Sequence, residues 1–242
     1  LNIPGRDAHG VYQAMEYLPW GNKQALGELK EEPKISAKGK RVIILGGGDT
    51  GADCLGTAIR QGAAQITQIE ILPRPSDERP SSQPWPTYPA VYRVSSAHEE
   101  AGDRLYSIAT QEFVKDRDGK LTGLKIVETK YENGKFEPVS GTERVIDADM
   151  VLLALGFTGP EQNQLVKDLE LSLDERGNIK RDDKYATNVE KIFVTGDAGR
   201  GQSLIVWAIA EGRSTAASVD EFLMGRTQLP SPVEPTSRPL TA

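Results

Sequence analysis

The sequence predicts an α/β fold with a parallel sheet at its centre, and three observations predict it. The apolar run Arg41-Val42-Ile43-Ile44-Leu45 ends abruptly in glycines and is followed by a helical pattern, which reads as strand, tight turn and helix start. Between Tyr106 and Val145 the hydrophobic period changes to two, the mark of antiparallel strands stacked as a hairpin or meander layer. Met150-Val151-Leu152-Leu153-Ala154-Leu155-Gly156 is continuous in apolar side chains, as a strand covered on both faces should be.

The first of these stretches points to chemistry. Gly46, Gly48 and Gly51 stand at G-x-G-x-x-G spacing within Gly46-Gly47-Gly48-Asp49-Thr50-Gly51. At that spacing the first glycine turns the chain, the second lets the backbone approach a pyrophosphate and the third brings helix close to strand. The phosphates then sit on free N–H groups at the positive end of the helix. Gly51, Leu55, Ala58 and Gly62 form one narrow helix face that can lie against a sheet, and a second strand, 65–72, follows. The order strand, glycines, helix, strand is that of a Rossmann-like NAD(P)-binding domain. Glu70, 19 residues beyond Gly51, suits a free ribose diol or is a solvated strand residue. Arg74 and Arg79 suit a 2′-phosphate, because guanidinium forks match phosphate oxygens, or are surface charges; on balance they favour NADPH over NADH.

The rest of the chain is less self-explanatory. Residues 1–37 open without a fold-starting strand; Val11, Met15 and Leu18 make a short helical stripe, a second helix fits Asn22 to Leu29, and Lys30 to Lys40 reads as a linker. After the second strand comes a proline-dense loop, residues 73–89, too rich in proline for a helix or sheet interior. Trp85, Tyr88 and Tyr92 give that loop aromatic surface on which to order itself, and a short helix follows near Ser95 to Ala101. Asp118-Gly119 and Asn133-Gly134 mark tight hairpin turns. Asp116, Asp118 and Gly119 lack the later ligands of a calcium loop and read as a turn. Ile192-Phe193-Val194-Thr195-Gly196-Asp197 reads as another strand ending in a glycine turn. The long helix after it carries a core-facing stripe of Ile205, Ile209, Gly212, Ala216, Val219 and Leu223. Its start, Gly201-Gln202-Ser203-Leu204, offers unpaired backbone donors to negative charge, Gly225 closes it, and the proline-rich tail 226–242 is expected to be disordered.

Composition excludes several classes. With 29 basic and 35 acidic residues among 242, the net charge of −6 argues against a general nucleic-acid surface. No run approaches a membrane span and no signal peptide opens the sequence, so a cytoplasmic protein is expected. Cys54 is the only cysteine, so these residues hold no disulfide, redox pair or cysteine-ligated iron–sulfur cluster; a packed core thiol is the favoured role. His9 and His98 have no ligand-spaced partners, and no metal site is expected.

These residues resemble the family of small (beta) subunits of NADPH-dependent glutamate synthase, within the wider group of flavoproteins with two dinucleotide-binding domains. Gly46 to Gly51 is similar to that family's NADPH loop, and Ile71-Leu72-Pro73-Arg74-Pro75 with Pro84-Trp85-Pro86 to the loop that follows it. Gly196-Asp197-Ala198 through Gly201-Gln202-Ser203-Leu204-Ile205-Val206-Trp207-Ala208 resembles its second flavin-contacting motif. The resemblance implies that Asp197 hydrogen-bonds the ribityl chain of FAD, that Gln202, Ser203 and Leu204 face the flavin ring, and that Gly156 and Gly196 belong to the cofactor site. It implies hydride transfer from NADPH to FAD and onward passage of electrons through iron–sulfur centres to a large (alpha) subunit that makes glutamate from glutamine and 2-oxoglutarate. The protein's share is positioning, and no side chain is assigned as a catalytic acid or base.

By the same resemblance the chain is expected to be a fragment. Residues 1–37 are then a remnant of the first FAD part with its linker, 38–157 the NADPH domain and 158–225 the returning half of the FAD domain. The first FAD loop and the iron–sulfur region fall outside it, so NADPH binding is expected, with FAD held weakly or not at all. Two alternatives stay open: an NADPH-linked flavoprotein module feeding another partner, and a non-catalytic nucleotide-binding or assembly module.

Overall fold

The computed structural model describes residues 1–85, 87, 89–132 and 134–238. The chain forms two compact units that divide after Gly156.

The first unit holds a five-stranded parallel sheet in the order β1-β9-β2-β3-β4, with β1 at Val11–Gln13, β2 at Arg41–Leu45, β3 at Gln65–Ile69, β4 at Asp103–Leu105 and β9 at Met150–Leu153. Three helices, α1 (Ala14–Ala25), α2 (Asp49–Arg60) and α3 (Ser96–Glu100), belong to the same unit. An antiparallel layer is built on the long strand β6 (Leu121–Glu132), which pairs with β5 (Ile108–Lys115), β7 (Lys135–Pro138) and β8 (Arg144–Asp147).

Strand alternation divides the core in two. Val42, Ile44, Met150 and Leu152 pack with Tyr17, Cys54, Leu55 and Ala58 of the helices. Ile43, Leu45, Val151 and Leu153 pack with Phe113, Leu121, Leu124 and Ile126 of the antiparallel layer. Both faces of β2 and β9 are therefore covered, which is why these runs are unbroken in apolar residues. Cys54 lies in this core, where burial pushes its thiol up to about 12, far from a reactive thiolate. The Asp118-Gly119 turn is closed by Asp116, whose Oδ1 accepts from the N–H groups of Asp118 and Lys120. The other expected turn begins at Asn133, outside the described residues.

Two expectations change in this unit. Val11, expected on a helical stripe, lies in β1. A single helix, α1, runs through Pro19 in place of the two short ones expected, held by buried Tyr17 and Gly21. Val11 pairs with Val151 of β9, and the Tyr17 hydroxyl donates at 2.8 Å to Oε1 of Gln61, the C-cap of α2. A strand of three residues is too short to announce itself by periodicity.

The second unit, from Phe157 onward, contains α4 (Gln164–Asp168), α5 (Asp197–Arg200) and α6 (Ile205–Met224). Ile192 to Val194 form no strand; Phe193 makes one isolated bridge, to Ala186. The stripe expected to face a core is instead open: Ile205, Ile209 and Leu223 are exposed, whereas Glu211, Ser214, Thr215 and Ala217 are buried. The tail is not free over its described part. Val233 N–H donates to Ser214 Oγ, Tyr185 hydroxyl donates to Val233 O, and Arg200 Nη2 donates to Ser237 O. Prolines exclude regular structure there but do not stop backbone groups from meeting buried polar side chains.

Candidate functional site

The glycine turn connects β2 to α2 in the first unit. Gly46 has φ +117°, and a Cβ there would collide with the carbonyl oxygen of Ala154, so only glycine makes the turn. Gly51 lies against the Gly46 carbonyl and Gln68, leaving no room for a side chain between helix and strand. Gly48, by contrast, is the N-cap of α2 and a Cβ there would meet nothing within 4 Å. The turn is thus tight at both ends and open in the middle, above the free N–H groups of a helix of 12 residues.

A chain of hydrogen bonds fixes this turn from β3. Gln68 Nε2 donates to the Gly46 carbonyl at 2.7 Å, which leaves Gln68 Oε1 to accept from His98 Nε2, also at 2.7 Å. His98 Nδ1 lies 2.7 Å from the Ser95 hydroxyl and accepts from Ser95 N–H at 3.4 Å, an arrangement that suits the tautomer with its proton on Nε2. Burial and the charge of Arg104 hold the His98 pKa below its ordinary value, in the same sense. Glu70 closes the arrangement, its carboxylate accepting from Gly47 N–H at 2.6 Å and Leu72 N–H at 3.0 Å. It braces the loop and, with these two bonds, is not merely a solvated strand residue; it also lines the cavity described next.

Beside the turn opens a cavity of about 650 Å³, with Gly47, Gly48 and Asp49 at one side and Arg74, Arg93 and Arg104 among its lining. Arg74 stacks over the Tyr92 ring at 3.7 Å and forks onto Asp77 at 2.7 Å. Arg79, expected beside it, donates instead to the carbonyls of Gln83 and Thr87 and pins the proline loop. Trp85 is 83% exposed, so Tyr92, against Tyr106 and two guanidinium groups, anchors the loop; Tyr88 lies outside the described residues.

In the second unit Gly196, at φ +60°, caps α5 and is held by buried charge. Glu211 Oε2 accepts from Gly196 N–H at 2.9 Å and from Arg181 at 2.7 Å, while Oε1 accepts from Arg181 at 2.8 Å and Arg200 at 2.6 Å. Burial works to raise the Glu211 pKa, but the hydrogen bonds from Arg181 and Arg200 prevail and hold the carboxyl below its usual range. Asp197, Gln202, Phe157 and Gly159 line a smaller cavity of about 320 Å³, where Gln202 Oε1 accepts from Phe157 N–H at 3.0 Å. Ser203 and Leu204 are exposed at the start of α6, whose N-cap, Leu204, has no side-chain cap.

Residues 1–212 match the pyridine nucleotide-disulphide oxidoreductase family. The chain belongs to that family. With one cysteine, buried in the core, the chain holds no internal disulfide. It is 56% identical over 99% of its length to the glutamate synthase [NADPH] small chain of Mycobacterium tuberculosis, and 43% identical over 95% to that of Bacillus subtilis. It is also 45% identical over 95% of its length to the glutamate synthase [NADH] of Schizosaccharomyces pombe, of which it covers 12%. The chain spans about half the length of the bacterial relatives, 50% and 49%. Among solved structures, its fold is similar to Mycobacterium tuberculosis FprA in complex with NADPH (TM-score 0.62, 15% identity, 93% of this chain and 61% of that one). It is similar also to T. acidophilum thioredoxin reductase (TM-score 0.54, 24% identity, 89% and 62%).

The chain thus brings Gly47, Gly48, Asp49 and Arg74 to one cavity, with Gly46 and Gly51 shaping its turn. Thr50 lies in the first turn of α2 but does not line the cavity, Arg79 is held within its loop, and Gly156 is an exposed left-handed residue just beyond β9. The sequence reading missed Gln68, His98, Arg104, Arg181, Arg200 and Glu211. The alternation Asp103-Arg104-Leu105-Tyr106 was the available sign of a strand at the cavity; a lone glutamate between Ala210 and Gly212 was the sign of the buried network.

Proposed function

We propose that this chain is the nicotinamide-nucleotide part of a glutamate synthase small chain, binding NADPH on its first unit and contributing half of an FAD site on its second. The observation that carries the reading is the open N-cap at Gly48 beside an arginine-lined cavity, in a chain 56% identical to a glutamate synthase [NADPH] small chain. The residues fit the nucleotide: Gly48 leaves space for a pyrophosphate, the start of α2 supplies donors, and Arg74 supplies a fork for a 2′-phosphate. The second unit fits part of a flavin nucleotide, with Gly196 held in a left-handed turn and Asp197 and Gln202 lining one cavity.

FAD, when bound, supplies the hydride acceptor and the passage from paired to single electrons. The work of this chain's residues is to bind and orient. Gln68 and Glu70 hold the glycine turn, Arg74 sets the nucleotide's choice, and the Glu211 network holds the Gly196 turn. In the full-length protein the electrons pass through iron–sulfur centres to a large subunit that forms glutamate. Among the described residues no helix is long and apolar enough to cross a membrane.

Titrating the chain with NADPH and NADH by calorimetry, with the visible flavin spectrum recorded after purification, tests this reading. Saturable NADPH binding with little bound flavin supports it. Absence of any dinucleotide binding contradicts it and favours an assembly role.

A further inference from the structure

The cavity beside the glycine turn contains a guanidinium that the sequence pattern did not single out. Arg104 lies on β4, directly paired with β3 through Gln68, so its backbone is part of the rigid sheet. Its guanidinium stands 4.9 Å from the Tyr92 ring centre and 5.4 Å from that of Tyr106, and Nη1 donates to the carbonyl of Arg93 at 3.0 Å. Among the described residues it makes no ion pair, whereas Arg74 is forked onto Asp77 and Arg79 is turned onto backbone carbonyls away from the cavity. Arg104 lines the cavity together with His98, whose pKa is lowered chiefly by burial and further by the Arg104 charge.

We propose that Arg104 is a specificity-determining residue for the nucleotide, holding the 2′-phosphate together with Arg74. This deepens the NADPH reading above and rests on it. An arginine fixed by strand pairing and two tyrosine rings loses little freedom on binding, and its charge is not already spent on a carboxylate. Arg74, on a loop, must loosen its hold on Asp77 to share a phosphate. Both guanidinium groups lie against the Tyr92 ring, at 3.7 and 4.9 Å from its centre, and both line the cavity. A dianionic phosphate monoester is the group that two arginines lining one cavity select over a ribose hydroxyl.

The test uses 2′,5′-ADP and 5′-ADP as probes, titrated calorimetrically into the wild-type chain and the Arg104→Gln and Arg79→Gln variants. In Arg104→Gln, 2′,5′-ADP binding weakens about tenfold or more, the scale of a lost charged hydrogen bond, and 5′-ADP binding stays within about twofold. Arg79→Gln leaves the ratio between the probes unchanged. Retained 5′-ADP binding also reports that the variant is folded. Equal weakening of both probes, an unchanged ratio in Arg104→Gln, or a selective loss in Arg79→Gln overturns the assignment. A wild-type chain that binds neither probe overturns the nucleotide reading itself, a result distinct from these.

Discussion

Two glycine turns of the same local signature are supported in opposite ways. The turn at Gly46 stands at the end of a strand with both faces buried in aliphatic side chains, and neutral hydrogen bonds from Gln68 and a carboxylate from Glu70 finish it. The turn at Gly196 follows a segment with no strand, and one fully buried carboxylate, Glu211, ties it to two arginines. A glycine turn needs its backbone groups fixed, and either sheet or charge can fix them. The consequences differ: apolar support degrades gradually when trimmed, whereas a buried charge network fails when one partner is removed, because the remaining charges are left unpaired.

The largest effect is therefore expected in the second unit. Glu211→Ala strands two guanidinium groups that are 6% and 7% exposed, and should cost about 3–5 kcal/mol in urea unfolding of that unit. A loss below about 1 kcal/mol would show that the network is not what supports the turn. Next is Gly46→Ala, which adds both a positive φ and a collision with Ala154 O. A destabilisation of about 2 kcal/mol or more is expected in the first unit, read by the same method.

Acid sharpens the contrast. Asp149 is held at about 2, chiefly by hydrogen bonds from the Arg41 side chain and backbone, against 3.8 when free. Its folded pKa is depressed, so its contribution is complete above 3.8 and is lost as pH falls toward 2. Asp149→Asn should flatten the decline of first-unit stability over that window, and leave neutral-pH nucleotide binding unchanged. The smallest effect on folding is expected from Arg74→Ala: it should weaken NADPH well beyond NADH in parallel titrations, and equal losses would argue against a 2′-phosphate contact.

How much of this was legible in the sequence depends on how local the cause is. Gly46 to Gly51 could be read because turn, helix start and strand packing all lie within six residues. The helical period of α6 says which residues share a face but not which face is covered, so Ile205, Ile209 and Leu223 were assigned to a core they do not meet. Arg79 stands out in the sequence and Arg104 does not, because distance along the chain is a poor guide to distance in space. Strand pairing sets Arg104 beside the cavity, while loop carbonyls draw Arg79 away. Glu211 meets Arg181 across 30 residues, beyond any motif window, and the tail's bonds to Ser214 and Tyr185 are equally non-local.

The most direct test of the central claim is Gly48→Ala, because a Cβ there has free space within the protein and, on the proposed reading, would stand in the path of the pyrophosphate. Calorimetric titration with NADPH, paired with urea unfolding, should find affinity reduced about tenfold or more while stability changes by no more than about 1 kcal/mol, the ordinary cost of alanine at an N-cap. Undiminished NADPH affinity in the folded variant would contradict the account, since no pyrophosphate could then be seated on this turn.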